Sequence, residues 1–334
     1  MDSLSQLALG AAVGMAVMGR RTAVWKAALW GGVAGTLPDL DVFIDHGDAI
    51  RNMVLHRAET HAPFWLTLFS LPFAALVARL HGEWAQWRRW WLALWLALVT
   101  HPLLDAMTVY GTQLALPFSN RPYGVGSVAI IDPLYTLPLL AGAGWSLASR
   151  GSAAGLRANA IGLLLSTAYL GWGVFAQQQV ERSARAALAA QGLPAEQLLV
   201  QPTIFNSLLW RVVVLDGERY HEGFRSLLDR TPQIQFDSFD RGQTLREGVN
   251  GSDGVQRIAA FSKGFYKLDR DDAGRVRISD LRIGQEPAYF FSFAVADAQG
   301  PLLVPLQVGG RPDLDRALSW LWRRMWGDPL PPPR

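Results

Sequence analysis

The sequence contains no cysteine and little charge. With no Cys among 334 residues, a disulfide framework, a thiolate metal site and a cysteine nucleophile are all excluded. Only 18% of the residues are charged, and the net charge of +3 comes without a block of Lys or Arg, so no nucleic-acid partner is expected. The Walker, G-x-S-x-G and HExxH motifs are absent. The apolar N-terminus has no basic region before it, so the sequence does not predict a cleaved signal peptide.

The charges that are present are unevenly distributed. Residues 1–176 hold 20 of the 59 charged residues but 10 of the 14 Trp, whereas residues 177–334 hold the other 39 charges. A chain of this length suits two domains. We therefore predict an α-helical polytopic membrane domain over residues 1–178, followed by a soluble, β-rich α+β domain over residues 179–334.

Six apolar stretches precede residue 180. The third, fourth and sixth approach the ~20 residues that span a bilayer core. The first two are shorter and rich in glycine, which fits either closely packed membrane helices or a re-entrant hairpin. The stretches are residues 4–19, 23–37, 62–80, 90–109, 133–149 and 157–176.

The distribution of Lys and Arg predicts the topology. One set of alternate connections, at residues 19–26, 79–89 and 150–157, carries eight basic residues, whereas the loops 38–61 and 110–132 carry three. Because the more basic side usually faces the cytoplasm, we expect both termini and the second domain on the outer side.

After about residue 180 the pattern changes to short β-like runs between turns. Residues of high strand propensity alternate with turn signals such as Asp216-Gly217. The second domain is therefore expected to be mostly β. The runs are Trp210–Leu215, Ile258–Leu268, Val276–Ile283 and Tyr289–Val295.

Three clusters of His and carboxylate residues lie in the first domain. The first is Asp39 and Asp41, in the segment PDLD. Two carboxylates two residues apart in an extended turn can address one cation. A solvated acidic turn at a helix end is an equal alternative.

The second cluster is the segment HRAETH, which opens the third apolar stretch. His56 and His61 are candidate metal ligands, since neutral imidazole is the commonest protein ligand for zinc-like metals. Glu59 could be a ligand, a hydrogen-bond partner of a His or a general base, and the last is favoured. Arg57 is a candidate group for holding an anionic substrate oxygen. The alternative is an interfacial loop of hydrogen-bonded polar residues.

The third cluster is His101 and Asp105, one helical turn apart within the fourth apolar stretch. Without partners, such groups would be costly to bury in hydrocarbon. A shared metal removes that cost, and a simple His–Asp hydrogen bond between helices is the alternative. Asp132, just before Pro133, is expected to cap a helix.

The predicted topology places all three clusters at the same membrane face. Asp and His ligands without thiolate suit a divalent metal, with Zn favoured over Mn, or a two-metal centre with bound water. Such a centre hydrolyses esters or phosphoesters. The sequence thus predicts a metal-dependent hydrolase of a lipid-like or phosphoester substrate, with the lipid bilayer as its partner.

These residues also carry a family resemblance over roughly residues 1–150. The chain resembles the YdjM/YbcI-type family of bacterial, LexA-regulated inner-membrane proteins, which are assumed to be metal-dependent hydrolases. That resemblance implies an inner-membrane location and a ligand set of Asp39, Asp41, His56, His61, His101 and Asp105. The segments that carry it are MDSLSQLALGAAVG, PDLD, HRAETH, HPLLDAMTVYGTQLALPF and IDPLYT.

One departure from the family pattern bears on the site. Many relatives have Thr-His near the N-terminus where this chain has Ser5-Gln6. If that His is a ligand in the relatives, the site here has either lost one ligand or uses the Gln6 oxygen.

Two other classes of function remain open. A non-catalytic membrane scaffold would use the His/Asp network only to brace helices. A metal or proton transporter would need polar positions along a path through the third to sixth stretches, and His101 and Asp105 are nearly the only mid-membrane charges there.

Overall fold

Helices make up the first half of the chain, and strands dominate the second. The computed structural model describes residues 1–195, 197–297, 300–309 and 313–334. The predicted order, a helical N-terminal region followed by a β-rich C-terminal domain, is confirmed. The helices are α1 (Ser3–Met18), α2 (Val24–Thr36), α3 (Ala49–Leu55), α4 (Pro63–Leu80), α5 (Trp87–Ala106), α6 (Pro133–Ala148), α7 (Ala153–Ala190), α8 (Gln243–Val249), α9 (Asp253–Phe261) and α10 (Leu314–Met325).

The chain divides into two units. The first comprises residues 1–44, 56–174 and 204–206. The second comprises residues 45–55, 175–203 and 207–334. The predicted domain boundary at residue 178 falls inside α7.

The apolar stretches become helices because local signals start them. The Asp2 side chain accepts a hydrogen bond from Ser5 N at 3.0 Å and caps α1. Pro63 occupies the first turn of α4, where its missing N–H costs nothing. Asp132 caps α6 by accepting from Leu134 N, as predicted.

Glycines allow α1 and α2 to pack with their backbones in contact. A Cβ atom added at Gly10 would collide with the carbonyl oxygen of Gly31, and one at Gly35 would collide with that of Gln6. Close approach of this kind is what small residues provide between apolar helices. Fully buried Met15, Trp90 and Leu94 fill the core beside this contact.

Two of the described helices are long and apolar enough to cross a bilayer, namely α4 and α7. The fourth apolar stretch forms the 20-residue helix α5, but Arg88, Arg89, His101 and Asp105 make it less apolar. The polytopic arrangement with spans beyond these two stays a prediction.

The strands of the second unit form two four-stranded antiparallel sheets, β1-β2-β3-β4 and β10-β9-β6-β5, and a two-stranded ribbon, β7-β8. Trp210, Val212 and Val214 of β2 are buried against the end of α7. The strands are β1 (Gln197–Pro202), β2 (Leu209–Asp216), β3 (Arg219–Ser226), β4 (Phe236–Asp240), β5 (Tyr266–Arg270), β6 (Val276–Asp280), β7 (Gly284–Gln285), β8 (Ala288–Tyr289), β9 (Ser292–Asp297) and β10 (Gly300–Gln307).

One predicted strand was partly wrong. The run Ile258–Leu268 begins in helix α9 and reaches strand β5 only at Tyr266. Val255, Ile258 and Phe261 are spaced three residues apart and all buried, which is the pattern of a helix face. Positive φ angles at Lys263 and Gly264 then turn the chain into the strand.

Candidate metal centre

A 3₁₀ helix at Leu37–Phe43 supplies the two carboxylates of the first cluster. It follows α2 directly and begins with Pro38 in its first turn. Asp39 Oδ1 lies 3.4 Å from both His61 Nε2 and His101 Nε2. The side chains of Leu40 and Phe43, on the same short helix, are exposed.

The contact between α1 and α2 determines how His101 is oriented. Gly35, held against Gln6 and Gly10 of α1, presents its carbonyl oxygen to His101 Nδ1 at 2.6 Å. A carbonyl only accepts, so His101 Nδ1 is the donor and its Nε2 carries a lone pair. This arrangement is typical of an imidazole that binds a metal through Nε2.

His61 is oriented in the same way by the segment around it. A 3₁₀ turn at Glu59–His61 carries it, and its Nδ1 lies 2.9 Å from Thr60 Oγ1. The Thr60 hydroxyl donates to Asp41 Oδ2 at 2.6 Å, so it accepts from His61 Nδ1. The lone pair of a neutral His61 is therefore also on Nε2.

When both imidazoles are neutral, the two Nε2 lone pairs are directed at each other, an arrangement that a proton or a metal ion between them relieves. His61 Nε2 and His101 Nε2 are 3.1 Å apart, and both rings are fully buried. Asp105 Oδ2 lies 3.4 Å from each of these nitrogens. Asp39 Oδ1 and Asp105 Oδ2 are buried and have no hydrogen-bond partner. A buried arrangement of four electron-pair donors calls for a cation at its centre.

The spacing of these atoms fits a tetrahedral metal. One donor atom each from Asp39, His61, His101 and Asp105 lies within 4.8 Å of the others. Zn–N and Zn–O bonds of about 2.0–2.1 Å place tetrahedral ligand atoms about 3.3–3.4 Å apart. Four of the six distances between these atoms, from each nitrogen to each oxygen, are 3.4 Å and match that edge, and the two nitrogens are slightly closer at 3.1 Å. The residues present can therefore hold a divalent ion of this size.

The carboxylates make the centre attractive to positive charge. Burial alone would lower the pKa of His61, but the carboxylates of Asp105, Asp39 and Asp41 beside it raise that pKa to about 9. Burial would raise the pKa of Asp39, yet the imidazoles of His101 and His61 beside it hold that pKa well below its usual range. The centre thus favours a proton or a metal ion over an empty, neutral state.

Asp41 and His56 lie beside the group of four rather than in it. Asp41 accepts hydrogen bonds from His56 Nδ1 at 2.7 Å, Arg57 N at 3.1 Å and Thr60 Oγ1 at 2.6 Å. Burial would raise its pKa, and the bonds from His56, His61 and Thr60 outweigh that effect and lower it. Asp41 supports His61 through the Thr60 hydroxyl, and His56 binds Asp41. The role of both residues as ligands stays a prediction.

Arg57 is buried and turned toward the centre. Its backbone has a φ of 69°, in the left-handed region that a non-glycine residue rarely adopts. Its Nε lies 3.3 Å from Asp105 Oδ2, and its guanidinium lies 4.7 Å from the centroid of the Tyr110 ring. The side chain therefore contributes positive charge beside one ligand oxygen. Glu59, the predicted base, is exposed on the turn that carries His61.

Gln6 and the Met1 amino group both contact Asp105 at the centre. Gln6 Nε2 donates to Asp105 Oδ1 at 3.1 Å and to the His101 carbonyl at 3.2 Å, while Gln6 Oε1 is buried without a hydrogen bond. The Met1 amino group also donates to Asp105 Oδ1. The sequence offers the Gln6 oxygen as a replacement ligand, and that role stays a prediction, whereas no sequence signal indicated the Met1 contact.

Comparison with known proteins places the centre in a family context. A family model described as YdjM inner membrane protein matches residues 1–180, which is more than half of the chain. The uncharacterized protein YfhP of Bacillus subtilis (strain 168) is 24% identical over 308 residues, which cover 87% of this chain and 89% of the relative. No solved structure matches the chain. All six residues predicted as ligands lie in the segment that the family model matches.

Proposed function

Since the chain belongs to the YdjM inner membrane protein family, we propose that it is a membrane-embedded, metal-dependent hydrolase. Its substrate is an ester or phosphoester of a lipid-like molecule. The observation that carries the proposal is the buried group of Asp39, His61, His101 and Asp105, in which two imidazole nitrogens and two carboxylate oxygens without a hydrogen bond converge.

The donor set favours zinc. Two imidazole nitrogens and two carboxylate oxygens, without thiolate, suit Zn, and Mn is the second choice because carboxylates also suit harder ions. A divalent metal held there supplies Lewis acidity and lowers the pKa of bound water toward about 7. Such chemistry serves ester and phosphoester cleavage.

Three residues of the chain are assigned the roles of marking substrate entry, accepting a proton and binding negative charge. The Asp39 side chain is 19% exposed whereas those of His61, His101 and Asp105 are fully buried, so substrate approaches past Asp39. Glu59, two residues from His61 and exposed, accepts the proton of the attacking water. Arg57 positions Asp105 and adds positive charge where an anionic substrate oxygen collects.

The family supports a location in the bacterial inner membrane. We propose that the protein crosses it several times, with residues from about 180 on the outer, periplasmic side. The eight-to-three excess of Lys and Arg in alternate connections of the first unit supports this orientation.

Metal analysis tests the proposal most directly. Purified protein is expected to contain about one Zn or Mn per chain by elemental mass spectrometry. His101→Ala should lose it, because the variant removes one ligand nitrogen. His46→Ala, which changes a His outside the group of four, is the control and should keep it. A metal-free wild-type protein would overturn the proposal.

A structural metal site is the second candidate function, and one observation favours it. Four protein ligands satisfy a tetrahedral ion, and closed sites of this kind are usually structural, whereas catalytic sites keep one position for water. The protein would then be a membrane scaffold. This alternative predicts full metal content but no hydrolysis of lipid or phosphoester substrates, whereas the hydrolase loses turnover when the metal is removed.

A further inference from the structure

The 3₁₀ helix that carries Asp39 also carries a row of exposed apolar side chains. Its residues alternate, so that Asp39 and Asp41 face the centre while the residues between and after them face outward. Phe43 is 83% exposed, which is extreme for a phenylalanine. The outward residues of this segment are Leu40, Val42, Phe43 and Ile44.

A second exposed apolar patch adjoins the segment that carries His61. Phe64, in the first turn of α4, lies three residues after His61. Its ring makes an edge contact with the ring of Phe118 at a centroid distance of 5.6 Å and with that of Trp65 at 5.0 Å. Phe118 is itself 81% exposed. Exposed apolar side chains so concentrated beside a site mark an interaction surface.

The position of α4 indicates what covers these side chains. Its 18 residues are about 27 Å long, close to the ~30 Å of a bilayer core. Its exposed side chains are apolar as far as the last turn, where Arg79 can extend toward the headgroups. The exposed apolar residues beyond the first turn are Leu68, Phe69, Leu71, Pro72, Leu76 and Leu80.

The aromatic residues at the start of α4 thus sit at one end of a candidate span. Aromatic side chains at that level favour the interface between hydrocarbon and headgroups. Arg121 is exposed nearby in sequence to Phe118, with its guanidinium 6.0 Å from the Tyr123 ring centroid, and can meet a lipid phosphate. Because His61 lies two residues before the start of α4, the metal centre lies at this same end of the helix and therefore at interfacial depth.

We propose that Leu40, Val42, Phe43, Ile44, Phe64 and Phe118, here called the apolar rim, insert into the bilayer interface and open the metal centre to lipid rather than to bulk water. The substrate is then a membrane-resident amphiphile whose acyl chains stay among the lipids while its polar ester or phosphoester group reaches the centre. The insertion follows from the surface of the first unit alone, whereas the substrate class rests on the proposed function.

The absence of native Cys makes the insertion directly measurable. Phe43→Cys and Phe118→Cys, each labelled with an environment-sensitive nitrobenzoxadiazole dye, are reconstituted as full-length protein in phosphatidylcholine vesicles. Both labels should be quenched by lipids carrying a nitroxide near the headgroup, and should resist quenching by aqueous iodide. Ala273→Cys, in an exposed turn of the second unit, is the control and should be iodide-sensitive. Iodide sensitivity at positions 43 and 118 equal to that at 273 would overturn the insertion.

A second measurement tests the substrate class. Phe43→Ser combined with Phe118→Ser should lower the turnover of a long-chain substrate relative to that of a short-chain analogue about tenfold or more, with metal content as the check on folding. An unchanged ratio in a metal-loaded variant would overturn lateral entry of substrate. If no substrate is hydrolysed by the wild-type protein, the proposed function and the substrate class fail together, while dye quenching still decides the insertion.

Discussion

The two units both bury charged side chains, but they treat them differently. In the second unit, buried carboxylates have cationic partners: Arg211 Nη2 lies 2.6 Å from Glu222, and Arg282 Nη2 lies 2.6 Å from Asp280. Among the described residues, the buried side-chain atoms that lack a hydrogen-bond partner all belong to the first unit. They are Gln6 Oε1, Asp39 Oδ1, Arg57 Nε, Asp105 Oδ2, Thr112 Oγ1, Ser127 Oγ, Ser146 Oγ and Asn159 Oδ1.

This difference indicates that the buried charges of the second unit are structural, whereas those at the centre of the first unit are arranged to bind a ligand. A buried ion pair that is complete in the folded chain needs nothing further, and removing one partner is what costs stability. At the centre of the first unit, Arg57 and the Met1 amino group lie beside Asp105, but the convergent nitrogens and oxygens of the group of four stay costly until a cation binds among them. The stability of the second unit should therefore depend on its ion-pair residues alone. The stability of the first unit should depend on its ligand residues and also on whether a metal is bound.

The largest loss of stability is expected when one partner of a complete buried ion pair is removed. Glu222→Gln removes the charge that Arg211 faces and leaves the guanidinium buried, because the Arg211 side chain is only 3% exposed. We expect the free energy of unfolding to fall by about 3–5 kcal/mol. Hydrogen exchange of the β2 and β3 amides should locate the loss in the second unit. Metal content should not change, and a parallel loss of metal would show that the two clusters are coupled.

Removal of metal should have the next largest effect. At a free metal concentration 100 times the dissociation constant, binding stabilises the folded protein by about 2.7 kcal/mol. A chelator should therefore lower the melting temperature of the wild-type protein, because the four donors of the centre then face one another without a metal. The Glu222→Gln variant should show the same chelator shift, and His101→Ala should show none. A shift of equal size in His101→Ala would place the metal elsewhere.

A smaller effect is expected from the residues that orient the ligands. Asp41→Asn weakens the hydrogen bonds to His56, Thr60 and the Arg57 amide, and so loosens His61. Changes of this kind cost about 10–100-fold in metal affinity, measurable by competition with a zinc-binding dye. Asp45→Asn, an exposed carboxylate nearby in the chain, is the matched control. A loss of all metal in Asp41→Asn would mean that Asp41 is itself a ligand, as its position in PDLD predicts.

The sequence predicts the helices of the first unit closely because their signals are local. The apolar stretch at residues 62–80 became α4 at Pro63–Leu80, with a proline at its first turn. The sequence also predicts Asp39, His61, His101 and Asp105 among the candidate ligands, because His and Asp in apolar surroundings need a polar or charged partner.

Which residues of each cluster join the group of four, and which lie beside it, could not be predicted from the sequence. His56 and His61 were expected to act alike, but the positive φ of Arg57 reverses the chain between them. His56 then contacts Asp41, while His61 reaches His101. The orientation of His101 depends on the Gly35 carbonyl, which the packing of α1 on α2 brings within reach. Both effects come from contacts between segments distant in sequence.

Of the substitutions near the centre, Glu59→Gln is expected to change metal binding least. It can therefore separate an effect on catalysis from an effect on metal binding. Its carboxylate lies outside the group of four, so Glu59→Gln should change metal affinity by less than about twofold and leave the chelator shift intact. If Glu59 is the base, the variant should lower kcat by about 10²–10⁴-fold at unchanged metal content. The glutamine keeps the size of the side chain, so a loss of turnover cannot be assigned to a gap in packing.

Unchanged turnover would remove Glu59 from the mechanism, and a loss of metal would show that it holds the ion. A protein that keeps its metal but has no turnover in either form would be the scaffold, with a centre that is structural like the ion pairs of the second unit.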